Sequence, residues 1–279
     1  MRKSAPLRQG LLLAWSLVTL LPLLWLLLTS LKPSMEIFLH PFALPVPGQL
    51  AWGNYARAWE VSHFRDYLFN SLAVTLMSTL GTVYLGAMVA YPLARFHFPG
   101  SKWVRWALLA GLAIPLQLAA VPLFFQLRAV GLLDSRLGLT LVYIATGLPF
   151  AVFVLGGFFR AIPDELYDSA RLDGCTEWQA FRQIMLPLAS PGLVTVAIFT
   201  ALSIYNEYFL AFLFLSGKGS EALRTLPLGL ANLTIVSQYR TDYGQLFAGT
   251  VMVMVPMLIF YLLVERRIAQ GVAAGAVKG

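Results

Sequence analysis

Glu165-Leu-Tyr-Asp-Ser-Ala-Arg-Leu-Asp-Gly174, followed by Phe181 and by Ile184-Met-Leu-Pro187, is a polar, helix-forming stretch that interrupts two hydrophobic runs. Pro163 suits the first turn of a helix, where its missing N–H has no partner to lose. Asp164 and Glu165 favour the positive N-terminal end of that helix. Gly174 is a natural stop, because glycine takes a left-handed turn without a Cβ penalty. Thr176 and Gln179 have the spacing of a capping box, which starts a second helix ending near Pro187. The expected product over residues 160–187 is a helix-turn-helix at a membrane face.

The membrane follows from composition. With 58% hydrophobic and only 12% charged residues, and a mean hydropathy of +0.73, the chain cannot spread its charges over a water-soluble globule. Apolar runs long enough to cross a hydrocarbon core as helix lie near 10–31, 70–94, 104–125, 138–159, 188–215 and 246–264. Six spans place both ends on one side of the membrane. If that side is the cytoplasm, the inner segments hold twelve of the 20 Lys and Arg residues, among them Arg95, Lys102, Arg105, Arg160, Arg171 and Arg182. The longer outer segments hold the other eight, so the bias is that of a positive-inside topology. The net charge of +7 is then explained by topology and anionic headgroups, and nucleic acid is not an expected partner. Arg2, Lys3 and Arg8 before an apolar run imitate a secretory signal. The run is too long for a signal core, however, and Thr29-Ser-Leu-Lys-Pro33 offers no small-residue cleavage pattern, so it reads as a retained anchor. Cys175 is the only cysteine and reads as a reduced thiol.

The expected organisation is a single membrane domain over 1–279 with three outer segments. The first, about 32–69, carries Trp52, Tyr55, Trp59, Phe64 and Tyr67; it reads as an interfacial helix, a docking surface for a soluble partner, or both. The third, about 216–245, reads as polar and irregular, with Gly217, Gly219, Pro227 and Gly229. Pro22, Pro115, Pro122, Pro149, Pro191 and Pro256 fall inside spans, which implies bent helices and a wettable interior, or simple packing kinks.

Glu207 is the only acid well inside a span, and intramembrane acids are functional candidates by default. Thr200, Ser203, Asn206 and Glu207 share one helical stripe if the helix is continuous. That stripe either lines a passage or packs against a helix. Gln117, beside Pro115, is a second candidate. Enzymatic readings find no support. His40, His63 and His97 lie apart outside the spans without metal-ligand spacing, and no nucleophile elbow is present. The Gly217-Lys-Gly219 stretch lacks the first glycine of a phosphate loop, where Phe212 stands. The residues thus offer no catalytic or metal site and no cofactor, and the one candidate for ion chemistry is Glu207.

In order and spacing the 165–187 residues resemble the coupling loop of permease subunits of bacterial ABC importers. That loop has Glu-Ala-Ala, three residues to Gly, and a later Ile-x-Leu-Pro. Here the triplet is Asp168-Ser169-Ala170, which keeps the acid, one carbon shorter, and replaces the first alanine. The resemblance extends through Ala90-Tyr91, Arg95-Phe96, Phe98-Pro-Gly100, Ile114-Pro115, Val121-Pro-Leu123 and Leu148-Pro-Phe150. It continues with Tyr205-Asn-Glu-Tyr208, Thr225-Leu-Pro227 and Gly275-Ala-Val-Lys-Gly279, and so covers nearly the whole chain. Together these are similar to the smaller permease of the maltose-type carbohydrate importers.

The resemblance implies an all-α membrane protein with six transmembrane helices and a cytoplasmic helix-turn-helix coupling loop, in the bacterial inner membrane with both termini cytoplasmic. It implies a second, larger permease, two ATPase subunits that bind ATP and Mg, and an extracytoplasmic solute-binding protein. Tyr167, Asp168, Ser169, Ala170, Asp173, Gly174, Phe181, Leu186 and Pro187 would couple to the ATPase. Tyr167, Ala170, Trp178, Phe181 and Met185 would supply apolar contacts for its groove. From the residues alone, the same hairpin could equally rest on the membrane. Thr225 to Tyr239 would reach toward the docked binding protein. Gly275, Ala276 and Gly279 in the tail would slip between the ATPases, although a disordered end near anionic lipid has the same composition. A secondary transporter using Glu207, and an importer of polyamines or amino acids, are the competing readings.

Overall fold

The computed structural model describes residues 5–217, 219–240 and 242–276, with side chains over 8–217, 219–237 and 242–265. In chain order the helices are α1 (Ala5–Ser30), α2 (Ser34–Leu39), α3 (Gly53–Ala56), α4 (Phe64–Arg95), α5 (Ser101–Ala113), α6 (Leu116–Ala129) and α7 (Arg136–Ala161). They continue with α8 (Asp164–Leu172), α9 (Glu177–Ala180), α10 (Leu186–Leu188), α11 (Ser190–Tyr205), α12 (Phe209–Phe214), α13 (Leu226–Arg240) and α14 (Tyr243–Ala276). π turns over Arg57–Val61 and Phe181–Met185 extend α3 and join α9 to α10.

Four helices, α1, α4, α7 and α14, are long and apolar enough to cross a bilayer unaided. Two further candidates are bent pairs: α5 with α6 at 105°, and Glu177–Leu188 with α11 at 73°. The count is six if each pair is one span. The first bend falls at Ile114-Pro115, inside the run expected to be one helix over 104–125. Proline crowds the residue before it out of the helical region, and Ile114 is extended at φ −79°, ψ 121°. Pro22, Pro122, Pro149 and Pro256 lie inside continuous helices, whereas Pro191 sits in the first turn of α11, where its missing N–H costs nothing.

The described residues form two compact units. One comprises the chain up to Leu68 with Leu226–Pro256. Asn54 organises it: its Nδ2 donates to the carbonyls of Ser30 and Lys32 at 2.8 and 2.9 Å, and its Oδ1 accepts from Arg57 at 2.7 Å. Arg57 also pairs with Asp242, which accepts from Ser34 as well. Lys32 is 2% exposed, and its ammonium donates to the carbonyls of His40 and Pro41. The aromatic stretch does not act as one interfacial helix. Trp52 and Trp59 are exposed, but Phe64 and Tyr67 are buried in the core of this unit. Nor is the segment over 216–245 irregular throughout. Leu226, Leu228 and Leu233 of α13 are buried, and Asn232 and Thr234 bond back to carbonyls one turn earlier.

The other unit comprises Phe69–Thr225 with the chain from Met257 on. Its core joins Ala87, Ala90, Tyr91 and Leu93 of α4 to Ala151, Leu155 and Phe159 of α7 and to Phe181, Met185 and Val196. Helices α4 and α7 approach closely because Gly86 faces Ala151 and Gly147 faces Thr82, where an added Cβ would lie within 3 Å of its neighbour. Ser135 caps α7 by accepting from the Gly138 N–H at 2.9 Å.

Candidate functional site

Two places in the second unit bring the candidate residues together. The first is the hairpin after α7. Helix α8 ends in a Schellman motif: the Cys175 N–H reaches the Ala170 carbonyl at 3.0 Å, and the Gly174 N–H reaches Arg171 at 3.1 Å. Gly174 takes φ +84°, the left-handed conformation that glycine adopts without strain. Two residues on, the Thr176 Oγ1 accepts from the Gln179 N–H, and the Gln179 Oε1 accepts from the Thr176 N–H. This reciprocal pair starts α9. Across the turn, Arg171 donates to the Cys175 carbonyl at 2.6 Å and pairs with Glu177 at 3.5 Å. The Tyr167 hydroxyl donates to both Glu177 oxygens, at 2.8 and 2.9 Å. Partial burial and then the Glu177 carboxylate raise the Tyr167 phenol above its ordinary value.

This geometry corrects the expected contact surface. Ala170, Phe181 and Met185 are 2%, 4% and 0% exposed, so they are used inside the chain and are unavailable to a partner. Phe181 lies 5.2 Å from the Tyr91 ring and 6.5 Å from Phe159, which fastens the second helix to α4 and α7. Tyr167 and Leu186 are half-buried. The outward face instead carries Asp168, Ser169, Asp173, Gly174 and Pro187, with Leu166, Leu172 and Trp178 among its apolar residues. Leu172 is 89% exposed just before the turn, although in the sequence it reads as an ordinary last-turn residue. Arg95 at the end of α4 braces the hairpin: it donates to the Ile162 and Pro163 carbonyls and to the Asp164 carboxylate.

The second place is a cavity of about 360 Å³ lined by Tyr143, Thr146, Phe150, Phe199, Thr200, Ser203 and Glu207, among others. The stripe expected along one continuous helix over 188–215 is broken, because α11 ends at Tyr205 and Asn206 is its C-cap. Beyond the break, Glu207 turns its side chain forward and caps α12. Its Oε1 accepts from the Leu210 N–H at 2.8 Å and its Oε2 from Ala211 at 3.1 Å. The Tyr143 hydroxyl donates to Oε2 at 2.5 Å. The carboxylate is thus engaged by three donors of its own chain. Thr200, Ser203 and Glu207 share the cavity, whereas Asn206 is exposed and donates to the Leu202 carbonyl at 2.8 Å. Gln117 is exposed beside the lining residue Leu116 and is not part of the lining. Tyr143 escaped notice because nothing in an apolar run marks which tyrosine meets an acid on another helix. Thr225 is buried just before α13. The backbone of Gly275 and Ala276 ends α14, and Gly279 lies outside the described residues.

Residues 82–270 match the family described as binding-protein-dependent transport system inner membrane component. The chain is 42% identical to the diacetylchitobiose uptake system permease protein NgcG of Streptomyces coelicolor, over 98% of this chain and 89% of that protein. It is 39% identical to the trehalose transport system permease protein SugB of Mycobacterium tuberculosis, over 93% of each. A chain of the solved bacterial alginate ABC transporter, in complex with its alginate pentasaccharide-bound periplasmic protein, shares the fold. It does so with a TM-score of 0.65 at 18% identity, over 96% of this chain and 98% of that one. With its several apolar helices, the chain belongs to the inner membrane components of binding-protein-dependent transport systems and is a multi-pass ABC permease.

Proposed function

We propose that this chain is the smaller permease of an ATP-driven carbohydrate importer. It pairs with a second, larger permease, rests on two ATPase subunits that bind ATP and Mg, and receives its cargo from an extracytoplasmic binding protein. Both termini and the α8–α9 hairpin face the cytoplasm, in agreement with the distribution of Lys and Arg. The substrate class is supported by the relatives named for diacetylchitobiose and trehalose. It is also supported by the cavity, whose lining includes the hydroxyl-bearing residues Tyr143, Thr146, Thr200 and Ser203 and the aromatic residues Phe150 and Phe199. A sugar offers the complementary surface, hydroxyls for hydrogen bonds and C–H faces for aromatic rings.

The observation that carries the coupling role is the division of the hairpin into two faces. One is locked into the core through Ala170, Phe181 and Met185, and the other presents Leu172 and Trp178 beside Asp168 and Asp173. An amphipathic hairpin resting on lipid has no need of a fixed turn or of bracing by Arg95. A handle that transmits force needs both. Closure of the ATPases on ATP would move this handle and, through Tyr91, Phe159 and Phe181, shift α4 and α7 so that the path opens outward. Hydrolysis would reset it.

The test is to purify the complete complex, identify the ligand of its binding protein, and measure uptake of that ligand into proteoliposomes. The expected result is saccharide uptake that requires ATP. Uptake driven by a proton gradient without ATP would overturn the importer, and a polyamine or amino acid as the ligand would overturn the carbohydrate assignment.

A further inference from the structure

Helices α4, α5 and α7 line a second, partly open cavity of about 280 Å³, separate in its lining from the one that holds Glu207. Its walls are apolar, with Ala90 of α4, Leu109 of α5, and Val152, Phe153 and Gly156 of α7. Two guanidinium groups complete the lining, from Arg105 in the second turn of α5 and Arg160 in the last turn of α7. The helix ends that carry them lie together. Arg105 donates to the Leu93 carbonyl near the end of α4 at 2.9 Å, and Arg95 at that same end reaches the Ile162 carbonyl just beyond α7 at 2.7 Å. Gly156 leaves room for Arg160 one turn along, since a Cβ there would sit 3.4 Å from its Nη1.

These two arginines lack the partners that the neighbouring arginine has. Arg95 pairs with Asp164 and donates to two carbonyls through its terminal nitrogens. Arg105 has only the Leu93 carbonyl, and Arg160 has no hydrogen bond or ion pair among the described residues. No carboxylate of the described residues forms an ion pair with either. On the same stretch of α5, Trp103 and Trp106 are 80% and 67% exposed. Exposed tryptophans on a membrane helix mark the headgroup level, which places the two guanidinium groups where lipid phosphates lie. A free anion would have no use for the apolar walls, and a neutral lipid would offer the two exposed guanidinium groups no net charge.

We propose that this cavity binds an anionic phospholipid, with its phosphodiester between Arg105 and Arg160 and an acyl chain against Leu109, Val152 and Gly156. Basic pockets between transmembrane helices are suited to such headgroups, and the bidentate geometry of arginine favours phosphate. The bound lipid wedges α5 against α4 and α7, the two helices that the coupling hairpin grips through Tyr91 and Phe159. Anionic lipid thereby becomes a structural component on the driven side of the molecule.

The test uses the purified complete complex, challenged with equal amounts of dioleoylphosphatidylglycerol and dioleoylphosphatidylcholine, with retained lipid counted by native mass spectrometry. Wild type is expected to retain the phosphatidylglycerol selectively. Arg160→Gln, which breaks no internal bond, should lower that retention about fivefold, and Arg105→Gln/Arg160→Gln should lower it further. Gly156→Leu keeps both charges but fills the cavity floor, and it should also lose the lipid while the complex still assembles. Equal retention by wild type and Arg160→Gln overturns the proposal. Displacement of the lipid by millimolar inorganic phosphate does so too, because the site would then be one for a free anion. So does a cross-link from a cysteine at Leu109, in a Cys175→Ser background, to the second permease, because the groove would then hold protein.

Discussion

Tyr143 of α7 donates its hydroxyl hydrogen to the Glu207 carboxylate at 2.5 Å, while that same carboxylate accepts two N–H groups of the first turn of α12, from Leu210 and Ala211. One side chain thus closes a helix break and ties it to a neighbouring helix at the wall of the cavity. Away from the open part of the cavity little water can replace these bonds, so each unpaired group is expensive.

Glu207→Leu removes the acceptor from three donors and should destabilise the complex by about 1–3 kcal/mol for each group left unsatisfied. Glu207→Gln keeps one carbonyl oxygen and should fall between wild type and Glu207→Leu. Tyr143→Phe removes a single donor and should cost the least. The order of unfolding temperatures of the purified complex checks this. A Glu207→Leu protein as stable as wild type would remove the capping role, and near-additive losses in the Tyr143→Phe/Glu207→Gln pair would show that the two side chains act separately.

At Gly174 the backbone, not space, is the constraint. Its φ is +84°, yet a Cβ there would meet nothing within 4 Å. Gly174→Ala should therefore cost roughly 1 kcal/mol of left-handed strain without any clash. Gly174→Asn should cost less, because asparagine tolerates that region. Gly174→Leu adds bulk on the exposed face beside Leu172 and should weaken the coupling of ATP hydrolysis to the loaded binding protein beyond what its strain explains. Stimulated hydrolysis ranked Gly, Asn, Ala, Leu is the expected result, and four equal rates would argue against a contact at this turn.

Both helices of the hairpin were legible in the sequence because their boundary signals are local. Pro163, Gly174 and the Thr176–Gln179 pair act within a few residues of themselves. Which face of the hairpin points inward was not legible, since Ala170, Phe181 and Met185 look alike whether they meet this chain's own core or another protein. The stripe through Thr200, Ser203, Asn206 and Glu207 failed at one point for a similar reason. Helical spacing presumes an unbroken helix, and the break at Asn206 is stabilised by Glu207 and Tyr143, which are 64 residues apart. The break at Pro115 was not singled out either, since Pro22, Pro122, Pro149 and Pro256 carry the same local signal and lie inside continuous helices.

Arg95 and Asp164 form an ion pair whose two members are not equally important. The Arg95 side chain is 7% exposed and serves two carbonyls besides the carboxylate, whereas the Asp164 side chain is 83% exposed. Asp164→Asn should cost less than about 1 kcal/mol, as screened surface pairs do. Arg95→Ala leaves the Ile162 and Pro163 carbonyls without their donor and should cost about 1–3 kcal/mol, with a matching loss of coupled hydrolysis. Equal effects of the two substitutions would mean that the ion pair alone holds the hairpin.

Asp242, between α13 and α14, provides a pH test. Burial pushes its carboxyl up, but the Gln245 N–H, the Arg57 guanidinium and the Ser34 hydroxyl outweigh this and hold it below its ordinary value of 3.8. A carboxyl lowered on folding stabilises the folded state above its unfolded value, and that stabilisation is lost as pH falls through the folded one. Above about pH 5 wild type should therefore be more stable than Asp242→Asn, which keeps one acceptor oxygen but no charge opposite Arg57. Below about pH 4 the two should converge as the wild-type carboxyl takes up its proton. Unfolding temperatures of both proteins measured from pH 3 to 7 check this. A difference that persists unchanged at pH 3 would show that the shape of the aspartate, rather than its charge, fastens Arg57 and Ser34 to the start of α14.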